Sequence, residues 1–163
     1  MSEKLIIVMA NTDPNNGEEL GAPIFQATVA AAMEYEVDVI CTATSGRLMK
    51  KGVAENLVVK EGSPKSVYDF IKDAHEAGAK FYCCSPNLDL FDMTTDDLIP
   101  ECEGIVGGAH LIEDVMAEDC MVLPYCCLDM ACGPVGPLDR EHLGARAGEQ
   151  ITAVDRRSGC RRC

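Results

Sequence analysis

The sequence predicts an α/β protein in three layers, with helices on both faces of a mostly parallel sheet of about five strands. Residues 1–125 alternate short apolar runs with helix-like segments, which is typical of successive β-α units. The first run, KLIIVMA, lacks the polar alternation of a half-exposed strand, so it predicts a strand covered on both faces. Right-handed crossovers between parallel strands place the covering helices on both sides of the sheet.

Strands and helix-forming segments follow one another through this part of the chain. The predicted strands are residues 4–10, 37–43, 80–84, 104–106 and 120–124. Pro23 is predicted as the first residue of a helix that continues to residue 36. Ser63 and Pro64 open a second helix, which Gly78 ends. Shorter helical segments are predicted over residues 47–57, 94–101 and 109–119.

Residues 126–163 differ from the rest of the chain in composition. They contain no Lys and no aromatic residue, but six of the seven Arg. Residues 1–125 hold 22 acidic and 8 basic residues, a net charge of −14, whereas residues 126–163 hold 5 acidic and 6 basic residues, a net charge of +1. We therefore predict one α/β domain over residues 1–125 and a Cys-, Arg- and Gly-rich tail over residues 126–163 that is loosely structured or disordered.

Composition excludes several classes of function. The net charge of −13 argues against a nucleic-acid partner, because phosphate binding needs a basic surface. No apolar run has the length of a membrane span, and MSEKLIIVMA does not have the form of a signal peptide. Ten cysteines in such a chain indicate a reducing cytoplasm, where thiols bind metal, act in catalysis or are buried rather than paired.

Cys83 and Cys84 end the third predicted strand, immediately before a turn-forming Ser-Pro-Asn, at the sheet edge where open α/β proteins bind ligands. Successive strand residues face opposite sides, so one thiol is expected in a helix-covered face and the other towards the outside or the loop. Cys84, the last strand residue, is the candidate nucleophile, with a thiolate stabilised by loop amides and the following helix. The alternative is that both are inert buried thiols.

Two other segments at this edge carry weaker signals. The loop NTDPNNGEELGAPI offers Asn11 and Asp13 to the crevice, but any turn uses Asx residues with Pro and Gly, and the loop lacks both nucleotide-binding glycine motifs. GIVGGAHL has glycines that admit an anion at their amides or allow close helix packing. His110 is predicted in the first turn of the following helix, where it could approach a thiolate at the end of the neighbouring strand, although a lone His is a weak signal.

The tail cysteines form a separate candidate site, for a metal ion. The terminal CRRC has the two-residue spacing of a zinc knuckle, and Cys126, Cys127 and Cys132 supply further thiols. A structural zinc site normally has compact ligand-bearing turns, and the CC-x4-C group does not have that form. The pattern favours opportunistic metal binding by a thiol-rich tail over a built site.

The order of motifs resembles the DsrE/DsrF-like sulfur-relay family over residues 1–125. The resemblance rests on KLIIVMANTDP with its following helix, VDVICTATSG, LMKKGVAENL, and the block CSPNLDLFDMTTDDLIPECEGIVGGAHLIEDVMAED with its terminal strand CMVLPY. In that family a strand ends in a cysteine, followed by a serine-containing loop with an acidic residue, a DDLI-type helix and a Gly-Gly turn. The resemblance implies a flavodoxin-like cytoplasmic protein that forms homo-oligomers or hetero-oligomers.

The same resemblance implies a sulfur carrier with sulfurtransferase-like chemistry. In such proteins the cysteine accepts sulfur as a persulfide or thiosulfonate and passes it to a partner, often a small TusA-like carrier protein. The acceptor maps to Cys84, with Cys83 as the fallback, because C-S-P-N-L-D matches the family's spacing. This chemistry needs a thiolate, amides for the anionic product and a docking surface, and no metal or organic cofactor.

Three questions stay open from the sequence. Some relatives carry a second cysteine downstream, where this chain has Phe91 and Asp92, so two-cysteine chemistry requires Cys102 or Cys120 to approach. Residues 48–59 are a candidate oligomer interface, although ordinary packing explains them equally well. The non-enzymatic alternative is an oligomeric binding or scaffold protein in which both thiols of the third strand are buried.

Overall fold

The computed structural model describes residues 4–10, 12–13 and 15–126. Its strands are β1 (Lys4–Ala10), β2 (Glu36–Thr42), β3 (Lys80–Cys84), β4 (Cys102–Val106) and β5 (Cys120–Tyr125). Its α-helices are α1 (Gly17–Ala32), α2 (Val67–Ala77), α3 (Pro86–Leu90) and α4 (Gly108–Val115). Short 3-10 helices span Ala43–Met49, Ala54–Asn56 and Thr95–Asp97. The predicted tail lies outside the described residues apart from Cys126, so its lack of structure stays a prediction.

The sheet is parallel throughout, with the strand order β4-β3-β2-β1-β5. The chain moves outward from β1 to β4 and then returns to place β5 on the other side of β1. A right-handed crossover changes face when the direction of travel reverses, so α1 and α2 lie on one face and α4 on the other. The predicted fold, a parallel five-stranded sheet with helices on both faces, is confirmed.

The two faces of the sheet are covered unequally. Under α1 and α2, which we call the main face, Val39 and Phe81 belong to a large core and are at most 1% exposed. On the opposite side, the α4 face, a smaller cluster that includes Ile40 and Val106 packs against Leu111 of α4. Neighbouring residues of one strand therefore enter different cores, because side chains alternate along a strand.

The first helix begins at Gly17, so the predicted start at Pro23 is wrong. Asn16 caps the helix, and its side chain accepts a hydrogen bond of 3.2 Å from the backbone N–H of Glu18. Pro23 lies inside the helix, where it removes one backbone hydrogen bond. A Cβ at Gly17 would lie 1.8 Å from the carbonyl oxygen of Val58, so this early start requires glycine.

The start of the next helix also differs from the prediction. Ser66 caps α2 in a capping box, in which its hydroxyl accepts from the Asp69 N–H at 3.2 Å and the Asp69 carboxylate accepts from the Ser66 N–H at 2.8 Å. Ser63, the predicted cap, lies outside the helix. The predicted end is correct, because Gly78 has the left-handed φ of 112° that favours glycine.

Residues 48–59, a candidate oligomer interface, contribute their apolar side chains to the main core. Leu48, Met49 and Ala54 are fully buried there. Leu57 and Val59 pack against the same core. Packing within the chain therefore accounts for the three fully buried side chains, whereas Val58 is 45% exposed, and an oligomer interface on this segment stays a prediction.

An ion network joins α4 to the sheet. Lys4 of β1 places its Nζ 2.9 Å from an oxygen of Asp38 on β2 and 2.9 Å from an oxygen of Asp114 on α4. The Asp38 side chain is only 5% exposed. Burial lowers the pKa of Lys4, but the hydrogen bonds to Asp114 and Asp38 outweigh it and raise the pKa above the ordinary value. The ammonium therefore stays charged inside the network.

Candidate functional site

Cys83 and Cys84 face opposite sides of the sheet at the carboxyl end of β3, as expected. Cys83 is fully buried on the main face, beside Cys41 of β2. Cys84 pairs with Val106, which faces α4, and it is partly exposed. Cys84 is therefore the thiol of the pair that a reagent is able to reach.

The segment after Cys84 forms the short helix α3 and is tied to both neighbouring strands. The Ser85 N–H donates to the carbonyl of Val106 at 2.9 Å. The Asn87 side chain, 1% exposed, donates from Nδ2 to the carbonyl of Cys41 at 3.2 Å. Sequence reasoning missed Asn87, because an Asn in Ser-Pro-Asn is typical of a turn and the sequence carries no signal that it is buried.

Burial raises the pKa of three thiols on the main face. The pKa of Cys83 rises from 9.0 to about 11, chiefly because of burial and further because of the nearby Cys102. Burial also raises the pKa of Cys41 and of Cys102. These thiols stay protonated at neutral pH, and a protonated thiol is a poor nucleophile, so the structure disfavours Cys83 as an acceptor.

Cys83 is expected to react with a maleimide at least about tenfold more slowly than Cys84 in the folded protein at pH 8. With a pKa of about 11, roughly one Cys83 in a thousand is a thiolate at that pH, and the side chain is fully buried. The measurement is a brief labelling pulse followed by peptide mass mapping, which separates these residues from the other cysteines. Equal labelling of both residues before unfolding contradicts the prediction.

Two glycines and the first turn of α4 lie beside Cys84. Val106, the strand partner of Cys84, is followed by Gly107 and Gly108, and α4 starts at Gly108. No side chain in the described part of the chain caps this end of α4. The first amides of a helix lack partners within the helix and favour negative charge, so this turn suits an anionic group on Cys84.

His110 forms a contact within α4 rather than with the thiol. Its Nε2 lies 3.4 Å from a carboxylate oxygen of Asp114, and the side chain is 48% exposed. The described contacts do not include one between His110 and Cys84. The structure therefore assigns no role in thiol activation to His110.

Neither of the two candidates for a second thiol stands next to Cys84. Cys102 pairs with Phe81 on the main face, and its thiol donates to the carbonyl of Gly104 at 3.4 Å. Cys120 lies on β5 and pairs with Lys4 of β1. The strands β1 and β2 separate β5 from β3, which carries Cys84. Within the described residues, neither Cys102 nor Cys120 is therefore placed to act as a second thiol beside Cys84.

The described residues of the loop after β1 form local hydrogen bonds with one another. The Asp13 carboxylate accepts from the backbone N–H of Asn15 at 2.8 Å and from its side chain at 3.0 Å. This local pattern is typical of an Asx turn. Asn11, the other polar candidate in this loop, lies outside the described residues.

The described part of the chain offers no group of three or more His, Cys, Asp or Glu side chains that could hold a metal ion. Cys126 is described and exposed, whereas the other tail cysteines fall beyond the described ranges, so metal binding by the tail stays a hypothesis. None of the described helices is long and apolar enough to cross a membrane.

Residues 43–123 match the family model of the DsrE/DsrF/DrsH-like family. The matched span contains the Cys83–Cys84 pair, α3, β4 and α4. No curated protein matches the chain. The family resemblance expected from the motif order is confirmed by this match.

Solved structures with the same fold include the ychN protein from E. coli, which is 17% identical with a TM-score of 0.60 and is matched over 77% of this chain and 100% of its own. A protein of unknown function from Methanobacterium thermoautotrophicum is 15% identical with a TM-score of 0.56, over 76% and 99% of the two chains. A conserved protein of unknown function from Bacteroides thetaiotaomicron is 15% identical with a TM-score of 0.54, over 74% and 95%. At these identities the likeness concerns the fold.

Proposed function

We propose that this chain, whose residues 43–123 match the model of the DsrE/DsrF/DrsH-like family, is a sulfur carrier that accepts sulfur on Cys84 and relays it to a partner. The observation that carries the proposal is the position of Cys84. It is the partly exposed thiol at the carboxyl end of β3, whereas its neighbour Cys83 is buried and protonated. The match to the family supports sulfur relay in general, and the residue assignment is our own.

The proposed step is a transfer of a sulfane sulfur without net oxidation. The Cys84 thiolate attacks the terminal sulfur of a persulfide donor R–S–SH, the donor S–S bond breaks, and R–S⁻ leaves. The new S–S bond joins Cys84 Sγ to the transferred sulfur, which gives a persulfide on the protein. With thiosulfate as donor, sulfite is the leaving group. Relay is the same exchange in the opposite direction, onto a thiolate of the partner.

The surroundings of Cys84 suit an anionic persulfide. The first turn of α4 begins two residues after Val106, the strand partner of Cys84, and Gly107 and Gly108 have no side chains to obstruct an approach. Amides at a helix N-terminus favour negative charge, so they suit a persulfide anion on Cys84. The protein's own groups thus supply the stabilisation, and no metal or organic cofactor takes part in the step.

The partner proposed for the relay is a small TusA-like carrier protein. A low-molecular-weight sulfur compound is the alternative donor of sulfur to Cys84. Residues 1–125 carry a net charge of −14, so a carrier with a basic face is attracted to them and nucleic acid is repelled. We further propose that the protein acts in the cytoplasm, where thiols stay reduced, and that it is a homo-oligomer.

The test is a measurement of mass after incubation with polysulfide or thiosulfate. Wild-type protein is expected to gain the mass of one sulfur atom on the peptide that contains Cys84, and dithiothreitol is expected to remove it. Cys84→Ser is expected to lose this gain completely, whereas the matched variant Cys83→Ser keeps it. Equal loading of Cys84→Ser would overturn the assignment, and loading of neither variant nor wild type would favour the binding or scaffold alternative.

A further inference from the structure

We propose that two copies of the chain associate through the outer side of α1 and the adjacent side chains of β5. This α1–β5 surface consists of Phe25, Val29, Met33, Tyr35, Met121 and Leu123. The inference deepens the proposed function, because it rests on the proposal of a homo-oligomer and names the surface that joins the copies.

The first argument is the composition of α1. From Leu20 to Met33 the chain has no charged residue. The inner side of α1 is buried in the main core, as expected, and includes Ile24 and Ala27. The outer side is equally uncharged, although a surface helix normally carries charged residues there. Beyond its first turn, this outer side carries Phe25, Val29 and Met33, with Gln26 as an uncharged polar neighbour. A helix side of this composition is typically covered by another element, so α1 lacks a covering layer in a single copy.

The second argument is the exposure of large apolar side chains around one groove. Phe25 is 60% exposed, Met33 61% and Met121 67%, and the remaining members of the surface are between 39% and 41% exposed. Together they surround a cavity of about 350 Å³ between α1 and β5. Contiguous apolar patches of this kind mark interaction sites on soluble proteins, whereas single exposed apolar residues do not.

The distribution of charge favours a second copy of the chain as the partner that binds the α1–β5 surface. The side chains around the groove include no Asp or Glu, although the chain has a net charge of −13. Two copies that met through most other parts of their surface would bring carboxylates together, which like-charge repulsion opposes. The six side chains of the α1–β5 surface carry no charge. Lys4 also borders the groove, but its ammonium is paired with Asp38 and Asp114, so the surface is able to meet its own copy without that penalty. A partner with a basic face would instead favour the acidic parts of the surface.

The shape of the surface suits a two-fold arrangement. In a two-fold dimer the same patch is used twice, so a projecting group must fit a recess of the same patch. Phe25 borders the cavity and is 60% exposed, and the cavity of about 350 Å³ is large enough to receive the Phe25 ring of the second copy. A stable dimer takes about 800 Å² from each partner with an apolar centre, and the six large side chains of this surface form such a centre.

Contact between side chains, rather than extension of the sheet, holds the two copies together in this arrangement. β5 is an edge strand, and edge strands are able to pair with a second chain. Pro124 lies within β5 and has no N–H to donate, which blunts that edge. The helix α1 and the side chains of Met121 and Leu123 therefore provide the contact.

The test compares the oligomeric state of three variants by sedimentation velocity in the presence of reductant, which prevents disulfide cross-links. The wild type is expected to sediment as a dimer or a larger assembly, and Phe25→Glu is expected to raise the dimer Kd at least about 100-fold, because a two-fold interface contains each substitution twice. Met121→Glu tests the same surface from β5. Met116→Glu is the matched control, since Met116 is 77% exposed but lies outside the surface.

A monomeric wild type at its highest soluble concentration overturns the proposal, and so does an assembled, folded Phe25→Glu protein with an assembled Met121→Glu. Circular dichroism shows that each variant is folded before its state is interpreted. Sulfur loading of Cys84 is measured on the same samples, so the two proposals fail separately. If the wild type is assembled but takes up no sulfur, the proposal of a sulfur carrier is contradicted. If the wild type is monomeric but takes up sulfur normally, only the proposal of an interface is contradicted.

Discussion

Lys4→Met is expected to lower the free energy of unfolding by about 3–5 kcal/mol, because it leaves a buried carboxylate without its cation. Lys4 Nζ lies 2.9 Å from oxygens of both Asp38 and Asp114. The Asp38 side chain is 5% exposed, and its Oδ1 has no hydrogen-bond partner among the described residues. The measurement is the urea midpoint and slope of the variant against wild type, followed by fluorescence or circular dichroism.

Two further variants separate the buried charge from the loss of a lysine in general. Lys80→Met removes an exposed ion pair with Glu36, in which both side chains are 45% exposed, and is expected to cost less than about 1 kcal/mol. Lys4→Met combined with Asp38→Leu removes both charges and is expected to recover most of the lost stability. If the double variant is as unstable as Lys4→Met alone, packing of the Lys4 side chain is the cause.

Gly46→Ala is expected to destabilise the protein by about 1–3 kcal/mol and to disturb the segment that follows Cys84. A Cβ at residue 46 would lie 1.5 Å from Nδ2 of Asn87 and 2.3 Å from its Cγ. Asn87 is buried and donates to the carbonyl of Cys41, so it has no room to withdraw without losing that hydrogen bond. Because α3 begins one residue before Asn87, its displacement changes the surroundings of Cys84.

Gly104→Ala is the matched control for this substitution. Gly104 lies on β4, and a Cβ there would meet nothing within 4 Å, so its effect on stability is expected to stay within about 0.5 kcal/mol. Thermal unfolding compares the stabilities of the two variants, and the rate of maleimide labelling at Cys84 reports on the site. Unchanged stability and labelling in Gly46→Ala would show that Asn87 does not hold the segment in place.

The sheet was predictable because the sequence repeats one physical pattern. Each strand is a short apolar run with a helix-forming segment behind it, and the predicted strand at residues 4–10 agrees with β1 at both ends. Strand alternation alone separated Cys83 from Cys84, since the period of a strand is two residues. The helix starts were less predictable, because Pro23 and Ser63 are both acceptable first-turn residues and local capping by Asn16 and Ser66 decided the boundaries.

The position of the candidate site was predictable from the sequence, but the side-chain contacts around it were not. The carboxyl edge of a parallel sheet follows from the β-α order, and Cys84 is at that edge in both the prediction and the structure. Asn87 was missed, because its burial depends on the close approach of Gly46 from the 3-10 helix Ala43–Met49. His110 was expected near a thiolate, and instead it contacts Asp114 four residues along its own helix.

The sequence by itself determined the order of strands and helices, the opposite facing of neighbouring strand residues and the edge at which Cys84 lies, because these depend on local periodicity. The tertiary structure decided the strand order β4-β3-β2-β1-β5, the pairing of Lys4 with Asp38 and Asp114, and the uncovered side of α1. Those features depend on which elements meet in space. An apolar residue on a helix carries no local signal of whether a neighbouring element covers it, so only the packed chain shows which apolar surface is left for a partner.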